Sequence, residues 1–239
     1  MLLIGRFAAQ NYSMLKLISS MATRQLMADL ATQWKLVSGA EVSIESVGGV
    51  DAAKRVLAGE AFDGVVLAGD AIDKLMAAGC VLAGSRVDLV QSSVAVAVKA
   101  GMAVPDISSE AALRSVIVAA PTIGYSTGPS GVALVRLFEK WGVLDELQAR
   151  IVQAPPGVPV GTLVARGEVA LGFQQLSELM GLGGIAVVGT LPEPIAITTV
   201  FSAGVCVVST QPRELGRFLS FLGSPEVADT KLQYGMQAA

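Results

Sequence analysis

The chain has 239 residues, 52 % of them hydrophobic and 15 % charged, with a formal net charge of −3. The apolar fraction excludes a disordered chain, and the acidic balance excludes the basic surface that binding a phosphate backbone requires. Histidine is absent, which excludes Ser-His and Cys-His mechanisms and removes the commonest transition-metal ligand. A binding protein remains, or an enzyme working with hydroxyls, amides, carboxylates and backbone dipoles. At the N-terminus Arg6 interrupts the one apolar stretch, so no secretory signal is expected and the default location is cytoplasmic. Met14 is an alternative start. Cys80 and Cys206 lie among apolar neighbours and are expected as free, buried thiols.

The elements follow in order. An apolar run over 15–18 ends at Ser19-Ser20, and a helix follows with Leu26, Met27, Leu30, Ala31 and Trp34 on one face. Residues 41–46 alternate as a strand with Val42 and Ile44 inward. That strand runs through Gly48-Gly49 into a second helix, with Asp51 a plausible cap. Residues 62–68 form a third strand, and Asp70 is expected to cap the third helix. The β-α-β-α-β-α order predicts parallel strands with crossover helices. Val94, Val96 and Val98 mark a long strand over 87–100. A strand at 122–125 then leads through Ser126-Thr127-Gly128-Pro129-Ser130-Gly131 to a helix starting at Val132. Residues 144–151 are expected as a helix, 160–166 as a short one, and 169–173 as a strand ending at Gln174-Gln175. A strand at 185–188 and an extended run over 195–209 precede two closing helices. The uncharged 194–212 stretch, rich in Thr, Val and Ile, fits a buried strand better than a membrane helix.

Several positions carry chemistry. Ser19-Ser20 stands at a strand-to-helix junction, where a serine either caps the helix or faces an anion. Arg24, one turn on, either pairs with a carboxylate or is solvated. Gly48 and Gly49 either offer bare amides or make a tight turn. Ser126, Thr127, Ser130 and Gly131 set three hydroxyls and free amides at a helix start, either a cradle for a carboxylate or oxyanion or a purely structural loop. Gln174 and Gln175 supply neutral amides beyond a strand's carboxyl end, and alternation turns only one of them toward a cleft. Glu178 is the candidate general base should there be catalysis, and otherwise a surface charge. Asp63 begins a strand. Arg86, Asp88 and Gln91 stand just before the expected hinge between the lobes and are candidates for binding across it.

The ordered set resembles the type II periplasmic solute-binding proteins, and within them the molybdate-binding branch. It consists of a strand before Ser19-Ser20, a strand before Val47-Gly48-Gly49, Phe62-Asp-Gly-Val-Val-Leu-Ala68, Tyr125-Ser-Thr-Gly-Pro-Ser-Gly131 and Arg166-Gly-Glu-Val-Ala-Leu-Gly-Phe-Gln-Gln175. It covers 15–239. The resemblance implies an α/β fold of two lobes, each a mainly parallel sheet flanked by helices, with a ligand cleft between them. Lobe 1 would hold 1–93 and 199–239, and lobe 2 would hold 94–198. Molybdate receptors present a serine where this chain has Gly48-Gly49 and a tyrosine where it has Gln174-Gln175. The expected ligand is therefore an organic di- or tricarboxylate rather than molybdate. Relatives in the periplasm serve an ABC importer, which would be the partner if this chain is exported. The chain is also similar to a cofactor-free isomerase of unsaturated tricarboxylates, the aconitate cis–trans type. Neither reading calls for a cofactor, a metal, nucleic acid or membrane insertion, and an oligomer is compatible with both. A sensory module is a third possibility, disfavoured by the missing DNA-binding segment.

Overall fold

The computed structural model describes residues 14–239. The sequence expectations about a leader before Met14 lie outside the described residues. The first lobe opens with β1 (Leu15–Ser20), α1 (Arg24–Ser38), β2 (Val42–Val47), α2 (Gly49–Leu57), β3 (Gly64–Ala68) and α3 (Gly69–Ala77). β1 lies between β2 and β3, and both pairings are parallel, as strand–helix alternation predicts. The long β4 (Val87–Lys99) leads to α4 (Glu110–Ala119), β5 (Ile123–Tyr125), α5 (Pro129–Lys140), α6 (Leu144–Leu147) and β6 (Ile151–Gln153). Then come α7 (Val160–Arg166), β7 (Leu171–Gln175), α8 (Leu176–Leu179) and β8 (Ile185–Thr190). β5 runs parallel to β6 on one side and β7 on the other. The chain returns through β9 (Thr198–Val205) and ends with α9 (Pro212–Leu222), α10 (Ala228–Gln233) and β10 (Gln237–Ala238).

The strand order is β2-β1-β3-β9-β4-β7-β5-β6, with β8 and β10 also on β4. β4 joins the two halves. Its residues up to Ser93 pair antiparallel with β9, and from Val94 onward it pairs antiparallel with β7 and β8. A bulge between Val96 and Ala97 faces Gly189, whose φ of 153° suits glycine. One core packs β1, β4 and β9 against α1 and α9, where Trp34 meets Phe218 and Phe221 at ring centroids of 5.7 and 5.4 Å. A second covers the other sheet face beneath α2 and α3. The third fills the far lobe, with Phe138 edge-on to Phe173.

Four local expectations need correction. α5 starts at Pro129, so Ser130 and Gly131 lie in its first turn rather than before it. Proline at the first helical position loses no bond, because that N–H has no intrahelical partner anyway. Residues 144–151 hold only the one-turn α6. Ile151 and Val152 instead pair with β5, where β-branched side chains are better placed in a sheet. β7 runs on through both glutamines. Asp51 and Asp70 sit inside the first turns of α2 and α3 without capping, since backbone at Gly48 and Ala68 holds the cap positions. Asp70 is exposed and 3.7 Å from Lys74. Neither thiol is in a disulfide; Cys206 is buried and Cys80 half-buried.

Candidate functional site

The carboxyl ends of β1, β2 and β3 point the same way as the helix starts that follow them, and β5 and β7 do the same in the other lobe. In open α/β sheets this edge is where ligands bind. The two edges approach each other: α8, which follows β7, packs against the 3-10 turn Met21–Thr23 that follows β1, and α5 packs against β9.

In the first lobe Ser19 and Ser20 are buried. Neither makes a side-chain cap; Ser20 is the N-cap of the short turn, and Thr23 is the N-cap of α1. The capping expectation thus fails, because an intervening 3-10 turn separates the serines from the α-helix. The Ser19 hydroxyl lies 2.7 Å from that of Ser46, and the Ser20 hydroxyl 3.4 Å from that of Thr23. A side chain built on Gly49 would come within 3.8 Å of Ser20 Cβ, so the Gly48-Gly49 backbone and the serine pair are neighbours. Arg24 is exposed. It lines a surface groove of about 490 Å³ with Lys35, Glu41 and Ser46, on the flank of the lobe.

In the second lobe Ser126 and Ser130 bring their hydroxyls to 3.1 Å, with Gly131 beside them and Thr127 exposed. The carbonyl of Gly128 accepts from the N–H groups of Gly131 and Val132 at 3.0 and 3.2 Å. That fixes the turn ahead of the twelve-residue α5, whose early N–H groups carry the positive end of the helix dipole.

The two glutamines diverge, as alternation requires. Gln174 Oε1 accepts from the backbone N–H of Val160 at 2.8 Å, and its Nε2 donates to Glu178 Oε1 at 2.8 Å. The N–H fixes which end of the amide is oxygen, so the NH₂ must face the carboxylate. Gln175 turns the other way and donates to Thr199 Oγ1 on β9 at 2.8 Å. Glu178 is half-buried; desolvation raises its pKa to about 7 even though the Gln174 amide favours the charged form. No group of three His, Cys, Asp or Glu among the described residues could hold a metal.

Arg86 is committed to Asp88 at 2.8 Å and Asp73 at 2.7 Å. Its guanidinium, with the Ser202 hydroxyl, holds the Asp88 carboxyl below the usual range. Gln91 pairs with Gln237 and Val200 in the sheet. Asp63 accepts from the Lys16 N–H and the Ser209 hydroxyl, a structural use. A second groove of about 750 Å³, with Glu110, Arg114 and Trp141, lies at the far end of α5. Sequence reasoning passed over Ser46, Thr23 and Thr199. Their signal was weak, since each is an ordinary polar position of a strand or turn and only tertiary pairing gives it a partner.

The raised Glu178 has a consequence for stability. An unfolded glutamate titrates near 4.5. The folded chain therefore favours the proton, and stability contributed by the neutral form is full below that value and lost as pH rises through about 7. Glu178→Gln keeps the bond from Gln174 and removes the charge. It is expected to match the parent protein at pH 4.5 and to exceed it by about 3 kcal/mol at pH 8.5, in urea unfolding at the two pH values.

The model of the family described as bacterial extracellular solute-binding protein matches residues 15–237. An aconitate isomerase from Pseudomonas sp is 36 % identical over 226 residues, covering 92 % of this chain and 86 % of the relative. The periplasmic molybdate-binding protein of Azotobacter vinelandii superposes with a TM-score of 0.77 at 22 % identity, over 93 % of this chain and 98 % of that one. A sulfate-binding protein of Mycobacterium tuberculosis H37Rv gives 0.77 at 14 % identity, over 95 % and 88 %. The fold is that of the type II periplasmic binding proteins. No helix of the described residues is long and apolar enough to cross a membrane. With a matching segment that spans all but the ends of the sequence, the chain belongs to the bacterial extracellular solute-binding protein family.

Proposed function

We propose that the protein is a cofactor-independent isomerase of a small unsaturated tricarboxylate, of the aconitate type, and that the substrate lies between two lobes divided at 93/94 and 198/199. One carboxylate would meet Ser19, Ser20 and the Gly48-Gly49 amides, and another would meet Ser126, Thr127, Ser130 and the first amides of α5. The observation that carries the reading is Glu178, a carboxyl with a pKa near 7, oriented by Gln174 where the two lobes meet. A base poised near working pH is what proton transfer at carbon needs. The identity to an aconitate isomerase over 92 % of the chain supports the same reading.

A single base suffices. The Glu178 carboxylate takes a proton from the methylene carbon, and the allylic carbanion spreads its charge toward the flanking carboxylates. The protonated Glu178 returns the proton to the former vinyl carbon, so the double bond moves one place. Both arms of an aconitate skeleton end alike, so the product is the same compound with the bond on the other arm. Its cis or trans geometry is set by the conformer in which the site holds that arm. Hydroxyls and amides aimed at the carboxylates stabilise the charge as it develops.

The test is proton NMR of purified protein with cis-aconitate. Appearance of the trans isomer supports the reading, and deuterium in its methylene position reports how often the proton on Glu178 exchanges with heavy water before it is returned. A ligand that raises the melting temperature but is never converted overturns it. The second reading is a receptor that closes on a carboxylate and, where exported, hands it to an ABC importer. The family match favours it, and it expects that second outcome.

A further inference from the structure

Ser92 Oγ, Gln175 Oε1 and Ser177 Oγ lie where the two halves of the sheet meet, and none has a hydrogen-bond partner. Ser92 is 1 % exposed, Gln175 3 % and Ser177 7 %. Buried polar atoms are nearly always paired, so three such atoms at one seam need a physical account.

Register brings two of them together. Ser92 on β4 stands opposite Thr199 on β9, and Val94 stands opposite Gln175 on β7. Alternation puts all four on one face. Gln175 reaches across β4 to bond Thr199, so its amide passes beside Ser92. On that face Val90 and Phe201 belong to one lobe's core, and Val94 and Phe173 to the other's. The polar residues form a layer where one core stops and the next begins. Ser177 stands two residues beyond Gln175 in the first turn of α8, one residue before Glu178.

A layer that only let the strands bend would be satisfied within itself. This one holds polar capacity to spare. The Thr199 hydroxyl can give or accept, so the Gln175 amide can present either its oxygen or its NH₂ without losing that bond. Two hydroxyls and one amide are then available to a group that arrives from between the lobes.

Resting on the polycarboxylate reading above, we infer that Ser92, Gln175 and Ser177 form the subsite for the third carboxylate, the one that separates a tricarboxylate from a dicarboxylate. Each lobe supplies one cradle at a helix start, and the seam supplies the third.

Tricarballylate and glutarate test this. They differ by the central carboxyl group, and neither has a double bond to move, so binding is read without conversion. Titration calorimetry on the full chain is expected to show tighter binding of tricarballylate than of glutarate. Ser92→Ala and Ser177→Ala should each weaken tricarballylate about tenfold, the effect of losing one hydrogen bond to a charged group. Glutarate affinity should stay within about twofold. Neither variant should melt below the parent protein, because neither hydroxyl has an internal bond to lose. Unchanged tricarballylate affinity in both variants overturns the subsite and assigns the layer to buried water. An equal loss for both ligands also overturns it, as does a parent protein that binds the two ligands equally well. A parent protein that binds neither ligand overturns the polycarboxylate reading itself.

Discussion

Glu178→Gln is expected to slow isomerisation of cis-aconitate by about 10²- to 10⁴-fold, the range over which a positioned general base contributes, while the affinity for tricarballylate changes no more than about threefold. Glutamine is nearly the same shape and can still accept from Gln174 Nε2, so the pocket keeps its form and loses only the proton acceptor. The pH profile gives a second reading of the same role. The base acts when deprotonated, and its pKa is raised to about 7 by burial. The parent rate should therefore be level above neutrality and fall about tenfold for each unit of pH below it, and the residual rate of the variant should lack that inflection. Gln174 enters as a positioning residue, since the Val160 N–H holds its oxygen and so aims its NH₂ at the carboxylate. Gln174→Leu should lower kcat and raise the inflection, because the amide favours the charged form. A Glu178→Gln protein that converts cis-aconitate at the parent rate removes Glu178 from the chemistry and returns the question to a base elsewhere or to a receptor.

Most of the fold was legible, and the reasons are local. The alternation of Val42 and Ile44, the all-apolar β3 and the helical face of α1 each follow from the side-chain period, and that period survives in the folded chain. β6 was not legible: Leu144 to Ile151 favours a helix by propensity, and only the waiting edge of β5 makes Ile151–Gln153 a strand. In the candidate site, the glycine and serine clusters fall at strand-to-helix junctions of the fold, because few side chains suit such a turn. The partners of those residues were hidden. Nothing in sequence links Ser19 to Ser46 or Gln175 to Thr199, 27 and 24 residues away. The direction of Gln174 depends on a helix start 14 residues upstream. Capping was overestimated at Ser20, Asp51 and Asp70 because Thr23, Gly48 and Ala68 hold the N-cap positions of the three helices.

Gly131→Ala is expected to cost about 3 kcal/mol or more and to weaken anion binding in the same step. A Cβ on Gly131 would lie 1.8 Å from the carbonyl oxygen of Ser126 and 2.9 Å from its carbon. Both are backbone atoms, so no rotamer change relieves the overlap and the turn over 126–128 must move away from α5. That turn sets the 3.1 Å approach of Ser126 and Ser130, so displacing it also breaks up the proposed carboxylate cradle. At about 2–4 °C for each kcal/mol in a chain of this size, the melting temperature should drop by roughly 6–12 °C. Gly216→Ala is the control. Gly216 lies inside α9, and a Cβ there meets nothing within 4 Å. The same substitution at that position should raise stability by up to about 1 kcal/mol through helix propensity and leave binding alone. The two glycines differ in what stands next to them rather than in backbone freedom, since neither has a positive φ. Parallel melting curves with and without tricarballylate decide the matter. A Gly131→Ala protein that melts with the parent would mean that the 126–131 turn is not packed on its helix, and the cradle at the start of α5 would fall with it.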